Sequence, residues 1–135
     1  MNEYEIKDFR PLMRLAAGDM STVKLPRYEI MEDCKILSEQ SIYVINKGFI
    51  TDAATVPLMF RQVFPAMNKY FGAAVAHDYY CGVANASGLY SYREKADNEF
   101  YGNLIECGTN KVRAKLMSFA VKSYGKMLKR TGKLK

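Results

Sequence analysis

The residues best suited to chemistry fall in three separate segments: Asp52 in GFITDAATVP, His77 and Asp78 in AAVAHDYY, and Arg93 and Asp97 in YREKADNEF. His77 is the single histidine of the chain. A buried imidazole held by a carboxylate is a general-base arrangement, because its ordinary pKa of about 6.5 lies near working pH. In that reading Asp52 orients His77 and Arg93 stabilises a developing negative charge, as in a small hydrolase. A metal-assisted version would use Asp52, His77, Asp78 and Asp97, an oxygen-rich set that suits Mg²⁺ or Mn²⁺ better than structural zinc. The same five residues also make an internal clamp. Asp52 at a strand end can accept the backbone N–H groups of Ala54 and Thr55 and simply close a turn. His77 and Asp78 point roughly 100° apart on a helix, so each needs its own partner, and the nearest candidates are Asp52 for His77 and Arg93 for Asp78. Arg93 and Asp97 are four apart on one helix face. Exposed, such a pair contributes only about 0.3–0.5 kcal/mol; buried, losing one member costs several times more. Burial of Arg93 and access to the His77 ring therefore decide between site and clamp.

These groups must be positioned by strands in the first half and helices in the second. Tyr28–Leu37 and Ser41–Ile50 carry aromatic and branched side chains with partial alternation, with Leu37-Ser38-Glu39-Gln40 as a hairpin connection. In the second run Ile42 and Val44 share one face and Tyr43 and Ile45 the other. Gly48 offers a bulge or turn before Phe49 and Ile50 finish the strand. Arg10 to Met20 admits one short helix. Helices are expected over Met67–Cys81, Ser91–Cys107 and Asn110–Arg130. Ser91 followed by Glu94 forms a capping-box pattern, and Gly108 punctuates the boundary before the last helix. In that helix Val112, Leu116, Phe119, Ala120, Ser123 and Met127 are spaced as a buried stripe, with the lysines on the opposite side. The expected fold is α+β: a small N-terminal antiparallel sheet or hairpin packed against a C-terminal bundle of about three helices. Residues 1–135 form a single domain in this reading, with 126–135 as a basic C-terminal tail.

Composition removes many alternatives. A chain of 135 residues buries roughly two thirds of its extended surface and needs no disulfide or metal to fold. Three widely spaced cysteines, Cys34, Cys81 and Cys107, suggest reduced thiols rather than a secreted disulfide framework. One histidine excludes HExxH and two-histidine zinc sites. No GxxxxGK[ST], GxGxxG or GxSxG motif occurs. The apolar stretches fall far below the roughly 20 residues that cross a bilayer, and MNEYEIKDFR lacks a signal-peptide core. No membrane span and no cofactor are expected. The net charge of +6 is uneven: residues 1–66 hold 8 Lys/Arg against 9 Asp/Glu, and residues 67–135 hold 12 against 5. From Thr109 onward there is no acid. Lys111, Lys115, Lys122, Lys126 and Lys129 would span about 27 Å of helix, enough for weak nonspecific contact with nucleic acid. Lysines on a helix face opposite an apolar stripe are equally the mark of a solvated surface.

The order GFITDAATVP, AAVAHDYY, YREKADNEF, and a last helix containing SYG resembles the phage-associated domain-of-unknown-function family 1353 over roughly Tyr28 to Gly125. The resemblance assigns its Gly-Phe-x-Thr-Asp, His-Asp and Arg-x-x-Ala-Asp elements to Thr51, Asp52, Thr55, Pro57, His77, Asp78, Tyr80, Arg93, Ala96 and Asp97. Thr55 stands where the family usually has serine, which weakens a nucleophile there, and Tyr80 is displaced by one residue from the usual tyrosine. No settled activity comes with the family. The resemblance implies a phage origin, among structural and lysis genes. The leading expectation is a virion-associated or morphogenesis protein with an internal His/Asp/Arg clamp and other phage proteins as partners. Its place would be the host cytoplasm during infection, or the virion. The alternative is a small phage hydrolase acting in lysis or host takeover.

Overall fold

A computed structural model of the protein describes residues 1–16, 27–51 and 70–135. Among the described residues six short strands come first: β1 (Asn2–Glu5), β2 (Met13–Leu15), β3 (Tyr28–Ile30), β4 (Cys34–Leu37), β5 (Ile42–Ile45) and β6 (Ile50–Thr51), with a 3-10 turn at Ile6–Asp8. Three helices follow: α1 (Phe71–Ser87), α2 (Tyr90–Glu106) and α3 (Lys111–Arg130). The fold is α+β, as the residue pattern predicts.

The hairpin forms where alternation places it. β4 and β5 pair antiparallel, Cys34 opposite Ile45 and Leu37 opposite Ile42, and the Ser38 N–H donates to the Ser41 carbonyl at 3.1 Å across the connection. Tyr43 and Ile45 point into the core, leaving Ile42 and Val44 exposed, the period of two that a half-buried strand requires.

The strands are nevertheless split between two sheets, β1-β4-β5 and β2-β3-β6. The first is mixed rather than antiparallel, because β1 lies parallel to β4. The expected single run Tyr28–Leu37 breaks after Ile30. Here Glu32 accepts hydrogen bonds from Asn2 Nδ2 at 2.7 Å, the Tyr4 hydroxyl at 2.8 Å and the Leu12 N–H at 2.9 Å, and Asp33 accepts the Lys47 N–H at 2.8 Å. These bonds take the chain out of one ladder and into another; the Asn2 bond, then those of Leu12 and Tyr4, hold the Glu32 carboxyl below its ordinary pKa. Phe49 and Ile50 do not finish β5. Gly48 adopts φ +96°, a left-handed conformation cheap only for glycine, and Ile50–Thr51 then pairs with β3. Met13–Leu15 is a strand paired with β3, not part of a short helix; residues 17–20 of that expectation lie outside the described residues.

The helices fall close to expectation with three differences. α1 runs past Cys81 to Ser87, while positions 67–69 are outside the described residues. α2 starts at Tyr90 and its N-cap Leu89 makes no side-chain cap, so Ser91 already lies in the first turn and the capping box is not formed. α3 is capped by Asn110, whose side chain accepts the Arg113 N–H at 3.0 Å. The basic segment 126–135 is not a loose tail: its first half completes α3, Leu134 is buried, and the Lys135 N–H donates to the Gly88 carbonyl at 2.8 Å.

The core lies between the first sheet and the helices. It joins Ile6, Phe9, Ile36, Tyr43 and Ile45 to Phe71, Val75, Phe100, Leu104, Met117 and Val121, with Phe9 stacked on Phe71 at 5.8 Å. Phe71 through His77 are buried without interruption, as in a helix packed on all sides. The expected stripe of α3 is corrected. Of its members only Ala120 is buried, whereas Val112, Leu116, Phe119 and Met127 are exposed. The inward face is instead Ala114, Met117, Ser118, Val121, Gly125 and Leu128. Arg93 on α2 explains the choice, because it is bonded to an α3 carbonyl and needs a side-chain-free surface beside it.

Candidate functional site: a buried imidazole, carboxylate and guanidinium

α1 and α2 each bring a polar group into the core. His77, on the buried stretch of α1, has a fully buried side chain, and its Nε2 lies 2.7 Å from Asp97 Oδ1 on α2. One turn earlier on α2, Arg93 Nε donates to Asp97 Oδ1 at 3.0 Å and to Oδ2 at 3.2 Å. Arg93 Nη2 donates to the Val121 carbonyl of α3 at 2.8 Å, and the guanidinium lies 5.4 Å from the Tyr124 ring centre. Three helices thus meet through one carboxylate and one guanidinium. Phe100 covers the imidazole, with ring centres 4.8 Å apart. At Gly125 a Cβ would fall 2.4 Å from Asp97 Oδ2 and 3.1 Å from Arg93 Nε, so the cluster itself demands glycine on the facing helix.

Burial lowers the His77 pKa from its ordinary value and the Arg93 charge pushes the same way, while the Asp97 hydrogen bond opposes them. The ring is therefore neutral. Its Nε2–H donates to Asp97, leaving Nδ1 to accept from the Cys81 thiol, whose Sγ lies 3.5 Å away. A histidine held neutral in the fold binds fewer protons than the unfolded chain as pH falls below about 6.5, so its contribution to stability is present above that pH and is lost below it. Wild-type urea midpoints are expected to fall between pH 7.5 and 5.5, and His77→Gln to flatten that fall. An unchanged slope in His77→Gln would assign the acid sensitivity elsewhere.

Of the expected residues, His77, Arg93 and Asp97 come together. Asp78 does not join them: it accepts a hydrogen bond from the Thr51 hydroxyl at the end of β6. The pairing expected between Asp78 and Arg93 is replaced by Arg93 with Asp97, and the described partners of His77 are Asp97 and Cys81. Asp52, Thr55 and Pro57 lie outside the described residues. Among the described residues, no group of three or more His, Cys, Asp or Glu side chains is placed to hold a metal ion, and no helix is long and apolar enough to cross a membrane. Lys111, Lys115, Lys126 and Lys129 are exposed and Lys122 is half-buried.

Two features escaped the sequence reading. Cys81 follows His77 by four residues, the helical spacing that puts two side chains in contact. A second polar network joins β5 to α2. Glu99 accepts from the Tyr43 hydroxyl at 2.5 Å, from Ser41 Oγ at 2.9 Å and from Lys95 Nζ at 2.6 Å, and Asn103 Nδ2 donates to the Tyr43 hydroxyl at 2.9 Å. Burial, followed by the Glu99 bond, raises the Tyr43 pKa far above its ordinary value. Glu99 and Asn103, four apart on α2, carried the readable signal.

The thiols also differ. Cys34 and Cys107 are buried and each is pushed up to about 11 by burial, which leaves roughly one thiolate per thousand at pH 8. Cys81 is only partly buried. Brief iodoacetamide treatment of the folded protein at pH 8 should therefore label Cys81 first by peptide mass spectrometry. Equal labelling of Cys34 or Cys107 would contradict this order.

No curated protein and no solved structure matches the chain. A family model described as protein of unknown function (DUF1353) matches residues 28–121, a span that includes His77, Arg93 and Asp97 and covers more than half the sequence; the chain belongs to that family.

Proposed function

We propose that this chain is a phage structural or accessory protein, acting in particle assembly or as a virion component, with the His77–Asp97–Arg93 cluster as its internal clamp. The observation that carries the reading is the sealed imidazole. A general base must reach the proton it removes from substrate or water, whereas the His77 side chain has no exposed surface and its Nε2 is held by Asp97. Arg93 and Asp97 are likewise turned toward each other and toward the Val121 carbonyl. Such groups fix packing, and the work of the protein falls to its outer surfaces. Other phage proteins are the partners in this reading, in the host cytoplasm during infection and in the particle. Its phage context rests on the family resemblance.

The test is complementation of a phage lacking this gene with His77→Gln, at a temperature where circular dichroism shows the variant folded. Infectious particles at wild-type yield, with the protein copurifying in fixed stoichiometry, support the clamp. Loss of infectivity or of lytic activity by the folded variant would overturn it.

One observation favours a second reading. Cys81 Sγ lies 3.5 Å from His77 Nδ1 and 3.9 Å from Nε2, and Nε2 lies 2.7 Å from Asp97 Oδ1, so a thiol, an imidazole and a carboxylate, the residue types of a nucleophile, its base and an orienting acid, are in contact. A phage thiol hydrolase predicts wall-degrading or ester-cleaving activity that Cys81→Ser abolishes while the melting temperature holds.

A further inference from the structure

The exposed arc of α3 is unusual for a helix packed in a small fold. Val112, Leu116, Phe119 and Met127 follow one another at intervals of a turn or two on the outer face, and Phe119 is 71% exposed and Val112 69%. At about 100° per residue they occupy one arc, and Lys111, Lys115, Lys122, Lys126 and Lys129 occupy the adjoining one. Between α2 and α3 this surface forms a shallow, open groove of about 450 Å³ lined by Asn98, Tyr101, Lys115, Ser118, Phe119 and Lys122. Lys115 and Lys122 are two helical turns apart, roughly 10.5 Å along the axis.

Resting on the reading of this chain as an assembly protein, we infer that the α2–α3 groove docks an acidic amphipathic helix of a partner protein. Apolar residues of that helix would cover Phe119 and Leu116, and carboxylates two turns apart would meet Lys115 and Lys122. Charge selects this occupant. α3 carries no acidic residue, so two copies packed α3 against α3 would set lysine against lysine or arginine. The apolar interior of a bilayer offers no partners to the polar side chains Asn98 and Ser118 in the lining, whereas a helix laid along the groove can present polar groups to them. A partner helix of opposite sign gains both the apolar cover and two ion pairs at the rim.

The full chain would be titrated with a fluorescein-labelled synthetic helix bearing leucines on one face and glutamates along its edges. A twin with lysines for the glutamates serves as control. The acidic peptide should bind, with amide NMR shifts confined to α3 and the facing side of α2, and the lysine twin should not. Phe119→Ser should weaken binding roughly tenfold or more. Lys115→Glu with Lys122→Glu should reverse the preference between the two peptides. Phe119 and Lys115 are exposed and Lys122 is half-buried, and circular dichroism should show both variants folded. No binding of the acidic peptide, or binding unaffected by the charge reversal, overturns the inference. Concentration-dependent dimerisation abolished by Phe119→Ser, or Phe119-dependent binding to phosphatidylglycerol vesicles without peptide binding, would also overturn it, in favour of a second copy or a membrane. Failure here leaves the complementation result with His77→Gln untouched, and the converse holds, so the two readings fall separately.

Discussion

Asp97→Ala should destabilise the protein by about 3–5 kcal/mol, the range for breaking a buried ion pair by removal of one partner. Asp97 is bonded to both Arg93 and His77, and its loss leaves a guanidinium buried with no opposing charge and an imidazole N–H with no acceptor. A fold of this size has roughly 5–15 kcal/mol of total stability, so the variant loses a large share of it. Its melting temperature should fall by roughly 10–20 °C. Removing the whole ion pair is a different experiment. Arg93→Met combined with Asp97→Leu leaves no unpaired charge, and should cost less than Asp97→Ala alone. Urea denaturation of the three proteins at pH 7.5 measures both effects. A loss under about 1 kcal/mol in Asp97→Ala would mean that the cluster is wetter and looser than its geometry states.

The second large effect is expected at Gly72, in the first turn of α1. A Cβ there would lie 2.2 Å from the Ile6 carbonyl oxygen and 3.0 Å from Ile6 Cγ1. The obstacle is main chain, fixed by the burial of Ile6 and Phe9, so the 3-10 turn and α1 must separate. Overpacking of this kind costs about 1–3 kcal/mol and sometimes more, and Gly72→Ala should reach the upper part of that range. Gly102 supplies the control. A Cβ at Gly102 would lie 2.4 Å from Gln40 Nε2, the far end of an exposed side chain that can swing away, and Gly102→Ala gains helix propensity of about 1 kcal/mol. Gly102→Ala should be near neutral in the same denaturation series. Equal costs at the two positions would refute the distinction between fixed backbone and mobile side chain.

Legibility in the sequence followed the range of the interaction involved. The β4–β5 hairpin could be read from Ile42 to Ile45 because alternation and a short connection are local properties. The three helices were legible for the same reason. The break after Ile30 was not, since Glu32 leaves the ladder to meet Asn2, Tyr4 and Leu12, none of them a sequence neighbour. The inward face of α3 was read wrongly because the helix has two apolar arcs and periodicity cannot rank them. The decision comes from α2, where Arg93 requires the Val121 carbonyl and the bare Cα of Gly125. In the candidate site, the Arg93–Asp97 pair was legible in its spacing of four on one helix, but the pairing of His77 with Asp97 was not. Residue types announce that a buried imidazole needs an acceptor; only helix packing states that Asp97 supplies it.

The parallel pairing of β1 with β4 also sets an order of events during synthesis. Asn2–Glu5 emerge before the strand they join, Cys34–Leu37, whose other edge is closed by the local turn to β5. Hairpin closure spans a few residues and is fast, whereas the parallel partner must be gathered across about thirty positions at greater entropic cost. β1 is thus made before its partner yet is among the later elements to find its seat, and Ile6 and Phe9 must wait with it before the helices can close over them.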